Sequence, residues 1–143
     1  MTDMIQRVAM KAVIVKDGKV LLLREAKTYK DGTNIGRFHM PGGRLDVGEA
    51  FEDGLRREVR EETGIEIEIV QPIYVGEWRP VIRDVPHQII AVFFVCTPTT
   101  DEVKLSEEHD KFMWVDPQTF RASAEVMDPE DKVLEAYVRL MLH

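Results

Sequence analysis

The chain has a single cysteine, Cys96, among its 143 residues, so it cannot form an intramolecular disulfide. Cys96 ends the apolar run AVFFVC, where we expect a buried and unreactive thiol. No apolar run is long enough to cross a bilayer. The first residues, MTDMIQRVAM, also lack the apolar core of a signal peptide. These absences predict a cytoplasmic protein without a membrane partner.

Positive charge is scarce as well. The chain has 19 Lys and Arg against 26 Asp and Glu, a formal net charge of −7, which argues against a nucleic-acid polymer as partner. A small phosphorylated ligand is compatible with this charge because a bound metal ion can reverse the local field. There is no repeat, low-complexity tract or linker, so residues 1–143 are predicted to form one soluble domain.

The pattern of apolar residues predicts strands interleaved with two helices. Residues 8–15 and 20–24 are predicted strands joined by an Asp-Gly turn. Further strands are predicted over 65–78 with a break near 71–72, over 87–97 and over 112–115, and helices over 49–63 and from Pro129 onward. The apolar face predicted for the last helix consists of Val133, Tyr137, Leu140 and Met141. This order favours an α/β fold with a mixed sheet between helices.

Residues 49–63 predict an amphipathic helix. The segment has no proline and one glycine, and at ~100° per residue its apolar side chains form one stripe. The stripe consists of Phe51, Leu55 and Val59, and we expect it to face the core. Gly64 follows the last turn and is well placed to end the helix in a left-handed conformation.

Three glutamates beside the stripe indicate a site for a divalent cation. Glu58, Glu61 and Glu62 crowd one side of the helix, where like charges repel and burial favours protonation. A cluster of oxygen ligands suits Mg²⁺. Gly54 is expected to leave room for the ion, and the Pro41-Gly42-Gly43 loop lets a backbone carbonyl approach it. An acidic helix is more often just a solvated surface, but the glycine loop ahead of this one favours the metal site.

Residues 43–65, GRLDVGEAFEDGLRREVREETGI, resemble the signature box of the Nudix hydrolases, the MutT-like family. The pattern is Gly, five residues, Glu, seven residues, then Arg-Glu-aliphatic-any-Glu-Glu-any-Gly-aliphatic, and every specified position matches. At roughly 7% per common residue, seven fixed matches arise at a given start about once in 10^8 trials. The run GRFHMPGG ahead of the box also looks like the family's lead-in. The resemblance implies an α/β/α sandwich with a mixed β-sheet between helices.

The resemblance also implies a reaction. Nudix hydrolases cleave the diphosphate linkage of a nucleoside diphosphate joined to another group, using water and a divalent cation such as Mg²⁺ or Mn²⁺. The metal ligands that it implies are Glu58, Glu61, Glu62 and the carbonyl of Gly43. Arg57 would orient the glutamates, and Glu49 would support the helix from behind the ligands.

The general base is left open between two glutamates. One is Glu58 on the box helix. The other is Glu108, in the loop Ser106-Glu107-Glu108-His109, which looks like the family's late acidic loop. Its neighbour Glu107 could substitute for it. The lone histidines His87 and His109 are not expected to ligate metal.

The substrate is also left open. Arg24, Arg44, Arg79 and Arg83 are candidates to contact phosphate, and Trp78 is a candidate to stack on a base. Pro80 resembles a proline of the ADP-ribose-cleaving branch, whereas a nucleoside triphosphate fits the box equally well. A non-catalytic nucleotide-binding domain is the alternative, but such domains are expected to lose box glutamates. The isomerase branch of the family, which acts on isoprenoid diphosphates, is a further alternative. It needs a catalytic cysteine, whereas Cys96 lies in a strand-like core run. The protein is expected to be a monomer or a homodimer.

Overall fold

In the computed structural model, which describes residues 3–29 and 35–142, a mixed eight-stranded sheet lies between two helices. The strands are β1 (Ile5–Lys16), β2 (Lys19–Glu25), β3 (Phe38–His39), β4 (Gly42–Arg44), β5 (Ile67–Trp78), β6 (Val81–Ile82), β7 (Val85–Pro98) and β8 (His109–Val115). The helices are α1 (Phe51–Thr63) and α2 (Glu130–Met141), with a 3₁₀ helix at Phe120–Ala122. The sequence also predicts a polar loop over 25–37, and part of that range lies outside the described residues.

The order of the strands brings the glycine loop beside the middle of the sheet. The main path is β3-β2-β1-β7-β5, while β4 pairs with β1 and β8 pairs with β2. β1 runs parallel to β7, and the other pairs are antiparallel. The predicted hairpin between β1 and β2 is confirmed, since Asp17 and Gly18 have φ angles of 51° and 76°, as a tight two-residue turn requires. β4 therefore places residues 42–44 against the centre of β1.

Two apolar clusters fill the spaces between the sheet and the helices. Leu55 and Val59 of α1 are fully buried in one cluster, which also contains Phe94 of β7. Val133 and Leu134 of α2 are fully buried in the other. Each helix thus covers its own layer of core, which confirms the predicted α/β/α sandwich.

The apolar faces of the helices differ from the prediction at their ends. Phe51 is 45% exposed, because the first residue of α1 lies at the rim of the core and only stacks on Phe94, with ring centroids 5.6 Å apart. Leu140 is 50% exposed in the last turn of α2, and Leu134 is buried instead. Pro129 precedes α2 as its N-cap and is not its first helical residue.

The predicted break near 71–72 proves to be a pair of irregularities within one strand. β5 is continuous, but its register against β7 shifts between Ile69 and Gln71 and again between Pro72 and Tyr74. β5 stands at the end of the main strand path, where a proline without an N–H group is tolerated.

The expectation that Cys96 is a buried thiol is confirmed. The thiol of Cys96 is buried, and this burial raises its pKa to about 12, so it is not a nucleophile near neutral pH. None of the helices in the described part of the chain is long and apolar enough to cross a membrane.

Candidate active site

The glycine loop, Pro41-Gly42-Gly43, packs closely against Glu58 and Glu62 of the signature box. Gly42 has a φ of 134°, and a Cβ atom there would come within 2.2 Å of the Met10 carbonyl oxygen, so only glycine fits against β1. Its N–H donates a hydrogen bond of 2.6 Å to Oε1 of Glu62. A Cβ atom on Gly43 would come within 2.6 Å of Oε2 of Glu58. The two glycines therefore let the backbone approach both carboxylates.

Arg57 connects three glutamates. Its Nε and Nη2 donate to the two carboxylate oxygens of Glu49 at 2.7 and 2.9 Å, a bidentate pair. Its Nη1 donates to Glu58 at 3.1 Å and to Glu61 at 3.3 Å. Arg57 lowers the pKa of Glu49 to about 2, and the glutamates raise the pKa of Arg57. This geometry is the one required if Arg57 is to orient the box glutamates.

The three predicted metal-binding glutamates lie in different environments. Glu62 is only 6% exposed, and its burial raises its pKa to about 8. Glu58 is partly buried, and burial raises its pKa despite the opposing charge of Arg57. The side chain of Glu61 is 59% exposed. The helix therefore presents one buried, one partly buried and one solvated carboxylate.

A cavity of about 420 Å³ opens in front of the glycine loop. It brings together five of the predicted site residues, namely Gly43, Arg44, Glu58, Glu62 and Glu108. Ligand atoms of Glu62, Glu108 and His109 lie within 4.8 Å of one another. Carboxylate oxygens and one imidazole nitrogen form a donor set that fits a divalent cation. The contribution of His109 to this group was not expected.

Other predicted site residues do not line this cavity. Arg57, Glu49 and Glu61 lie beside it on α1 and the preceding loop, linked by their ion pairs. Arg24 forms an ion pair with Asp110 at 2.7 Å.

Trp78 and Gly54 also lie away from the cavity. Trp78 packs against the cluster beneath α2. A Cβ atom on Gly54 would come within 2.3 Å of the Leu45 side chain. The expectation that Gly54 leaves room for an ion was therefore wrong, because it makes room for Leu45.

The sequence model of the NUDIX domain matches residues 5–137. The chain belongs to the Nudix family. The match covers nearly the whole chain and extends well beyond the signature box, so the family assignment made from residues 43–65 is confirmed.

Relatives of this Nudix hydrolase support the assignment. It is 32% identical over 105 residues to a MutT-like protein of Streptomyces ambofaciens, over 73% of this chain but only 60% of that protein. It is 32% identical to the nucleoside triphosphatase NudI of Escherichia fergusonii, over 79% of this chain and 84% of the relative. The crystal structure of a MutT protein from Methanosarcina mazei Go1 has a TM-score of 0.84 at 26% identity, with 97% of each chain covered.

A buried polar chain that the sequence did not predict joins α2 to the box helix of this Nudix domain. Lys11 Nζ lies 3.1 Å from Oε2 of Glu130 and 3.1 Å from Nδ1 of His39. Nε2 of His39 lies 2.8 Å from Nε2 of His109. Nε2 of His109 is in turn 3.6 Å from Oε2 of Glu62. All five residues are at most 8% exposed.

Burial and the charge of Lys11 fix the protonation of the two histidines. Desolvation lowers the pKa of His39 well below its ordinary value, and Lys11 lowers it further. The same two causes lower the pKa of His109 to about 4. Both rings are thus neutral at pH 7, and one of them donates and the other accepts in the bond between them. The sequence signal for this pairing is weak, because each histidine merely adjoins a recognisable segment, the lead-in or the late loop.

Proposed function

We propose that this Nudix hydrolase depends on Mg²⁺ and cleaves the diphosphate linkage of a nucleoside diphosphate joined to another group. A nucleoside triphosphate or an ADP-ribose-like compound would be the substrate. The observation that carries the proposal is that Glu58, Glu62 and Arg44 line one cavity. The glycine loop also contacts both of these carboxylates.

The box supplies oxygen ligands for the cation. The residues that would hold it are Glu58, Glu61, Glu62 and the carbonyl of Gly43, with Glu108 and His109 as further donors close to Glu62. A bound divalent cation supplies positive charge to the diphosphate and lowers the pKa of the attacking water. Mn²⁺ is the expected substitute, because it accepts the same oxygen donors and tolerates an imidazole.

The protein's own groups bind the substrate and accept the proton. Arg44 lies at the cavity wall, where its guanidinium would bind a phosphate. Glu58 and Glu108 both line the cavity, so both remain candidates for the general base. Burial raises the pKa of Glu58, which makes this carboxylate a better proton acceptor than an ordinary glutamate. Glu107 is exposed and does not line the cavity, which weakens its claim to substitute for Glu108.

The similarity to NudI favours a nucleoside triphosphate over an ADP-ribose-like compound as the substrate. A relative at 32% identity is a nucleoside triphosphatase. Pro80, which suggested the ADP-ribose arm, accepts a hydrogen bond from the N–H of His87 at 2.9 Å and helps to form the β5–β7 connection. Because that contact uses only the backbone carbonyl, it gives no reason for a proline at this position, and the preference for a triphosphate rests on the relative.

A panel of nucleotides in the presence of Mg²⁺ tests the proposal. Hydrolysis should yield a nucleoside monophosphate together with diphosphate or a phosphorylated partner, and ¹⁸O-labelled water should mark the phosphorus that is attacked. Reactions with EDTA, and reactions of the Glu62→Gln variant in Mg²⁺, serve as controls and should be inactive. Early release of orthophosphate from a triphosphate would indicate an ordinary phosphatase and contradict the proposal.

A further inference from the structure

A second cavity, of about 340 Å³, adjoins the first and shares Arg7 and Arg44 with it. Its other walls are Ile5, Ile82, Arg83, Val85 and His87. We call this cavity the arginine groove. It continues the candidate active site away from the box glutamates, so one extended ligand could occupy both spaces.

The arginine groove has the opposite charge from the metal end of the site. Among the described residues that line it are three arginines and no carboxylate, in a chain whose formal net charge is −7. Within the described ranges 3–29 and 35–142, neither Arg7 nor Arg44 forms an ion pair; Arg7 donates only to the carbonyl oxygen of Gln6, at 3.1 Å. Arg7 and Arg44 therefore carry positive charges that no protein anion neutralises, and Arg83 lies near them. Together they create a local positive field that attracts an anionic ligand.

The backbone holds these arginines in fixed positions. Arg7 stands opposite Ile89 in the β1–β7 ladder, and Arg44 stands opposite Ala9 in the β1–β4 ladder. Arg83 occupies the turn between β6 and β7, where Arg83 and the next residue both have positive φ angles, as in a tight hairpin. Guanidinium groups carried by two paired strands and a tight turn are well suited to bidentate contacts with phosphate oxygens.

We infer that the arginine groove binds a phosphate of the substrate beyond the two that form the scissile diphosphate. This inference rests on the proposed function, and it restricts the substrate to compounds with at least three phosphates. The third phosphate is either the end of a triphosphate or a separate phosphate on a sugar of the substrate. The apolar walls formed by Ile5, Ile82 and Val85 would pack against the neighbouring sugar or linker.

Binding of inorganic tripolyphosphate tests the groove without metal or turnover. In EDTA and at low ionic strength, calorimetry should show binding to the wild type, and Arg7→Gln and Arg83→Gln should each weaken it about tenfold, the size of one charge-assisted contact. Arg79→Gln is the matched control, because Arg79 is exposed, pairs with Glu77 at 3.2 Å and does not line the groove. It should bind like the wild type. No binding by the wild type, or equal binding by all variants, would overturn the inference.

Kinetics distinguish the two sources of the third phosphate. Arg7→Gln and Arg83→Gln should lower, about tenfold, the ratio of kcat/KM for a three-phosphate substrate to that for a two-phosphate substrate. One arm compares a nucleoside triphosphate with ADP-ribose, and the other compares ADP-ribose with its 2′-phosphorylated analogue. A ratio that is unchanged in both arms would contradict the inference while hydrolysis itself stands. Arginine-dependent binding without hydrolysis of any compound would instead contradict the proposed function.

Discussion

Replacing Glu62 by glutamine should stabilise the protein in metal-free buffer, by an amount that grows with pH. Glu62 is 6% exposed, and its burial raises its pKa to about 8. Glutamine has the same shape, and its amide oxygen can still accept the hydrogen bond from the Gly42 N–H. The substitution therefore removes the ionisation of the buried group and keeps its packing.

The sign and size of the effect follow from proton linkage. The carboxyl of Glu62 has an ordinary pKa of 4.5 and a folded pKa of about 8, so the folded state binds the proton more tightly. The stability that this proton provides is fully present below pH 4.5 and is lost as the pH rises to 8. The advantage of the variant should thus grow by at most about 4 kcal/mol between pH 5 and pH 9. That corresponds to roughly 10 °C in Tm for a domain of this size.

Thermal unfolding in EDTA at pH 5, 7 and 9 measures the effect. Glu61→Gln is the matched control, because Glu61 lies on the same helix and its side chain is 59% exposed. That control should stay within about 0.5 kcal/mol of the wild type at each pH.

Two results would refute the reasoning about Glu62. One is an advantage of Glu62→Gln that is the same at pH 5 and pH 9, and the other is a variant that is less stable than the wild type at pH 9. Saturating Mg²⁺ should reduce the advantage of the variant, because binding at 100 times Kd stabilises only the wild type, by about 2.7 kcal/mol.

Three further predictions concern the cation and the reaction. Glu61→Gln should lower turnover by orders of magnitude and leave the fold intact. If the variant were as active as the wild type in Mg²⁺, Glu61 would not be a metal ligand. Glu108→Gln should lower kcat strongly with nearly unchanged KM, because the contact would form mainly in the transition state; an unchanged kcat would assign the base to Glu58. Binding of Mg²⁺ at pH 7 should release roughly one proton from Glu62, measured by calorimetry in two buffers of different ionisation enthalpy. No release would contradict its role as a ligand.

Local patterns in the sequence predicted the box helix well. The apolar repeat placed Leu55 and Val59 in the core, and Gly64 ends α1 with a φ of 72°. The same repeat failed for Phe51, because periodicity identifies the side of a helix but not where the neighbouring sheet stops covering it. The prediction that Gly54 leaves room for an ion was wrong for a similar reason. Its neighbour Leu45 belongs to a loop, and no periodic pattern in the sequence describes the path of a loop.

The long-range polar contacts had no comparable signal. His39 and His109 are 70 residues apart in sequence, and Met40 and Glu130, whose backbone N–H and carboxylate form a hydrogen bond of 2.5 Å, are 90 apart. Each residue is unremarkable in its own segment, and a lone histidine or a glutamate at the start of a helix has many ordinary explanations. Only the pairing of β2 with β3 and β8 brings the two histidines together.

The buried cation Lys11 explains how the fold tolerates acidic groups in its core before a metal ion binds. Lys11 lowers the pKa of Glu62 and of Glu130, opposing the burial that raises both. The two carboxylates lie on different helices, so the same positive charge acts on the metal end of the site and on the anchor of α2. Two neutral histidines stand between Lys11 and Glu62 and supply hydrogen bonds without adding charge. Lys11 therefore limits the rise in the pKa of both carboxyl groups, although burial still leaves Glu62 protonated near pH 7 until a cation displaces the proton.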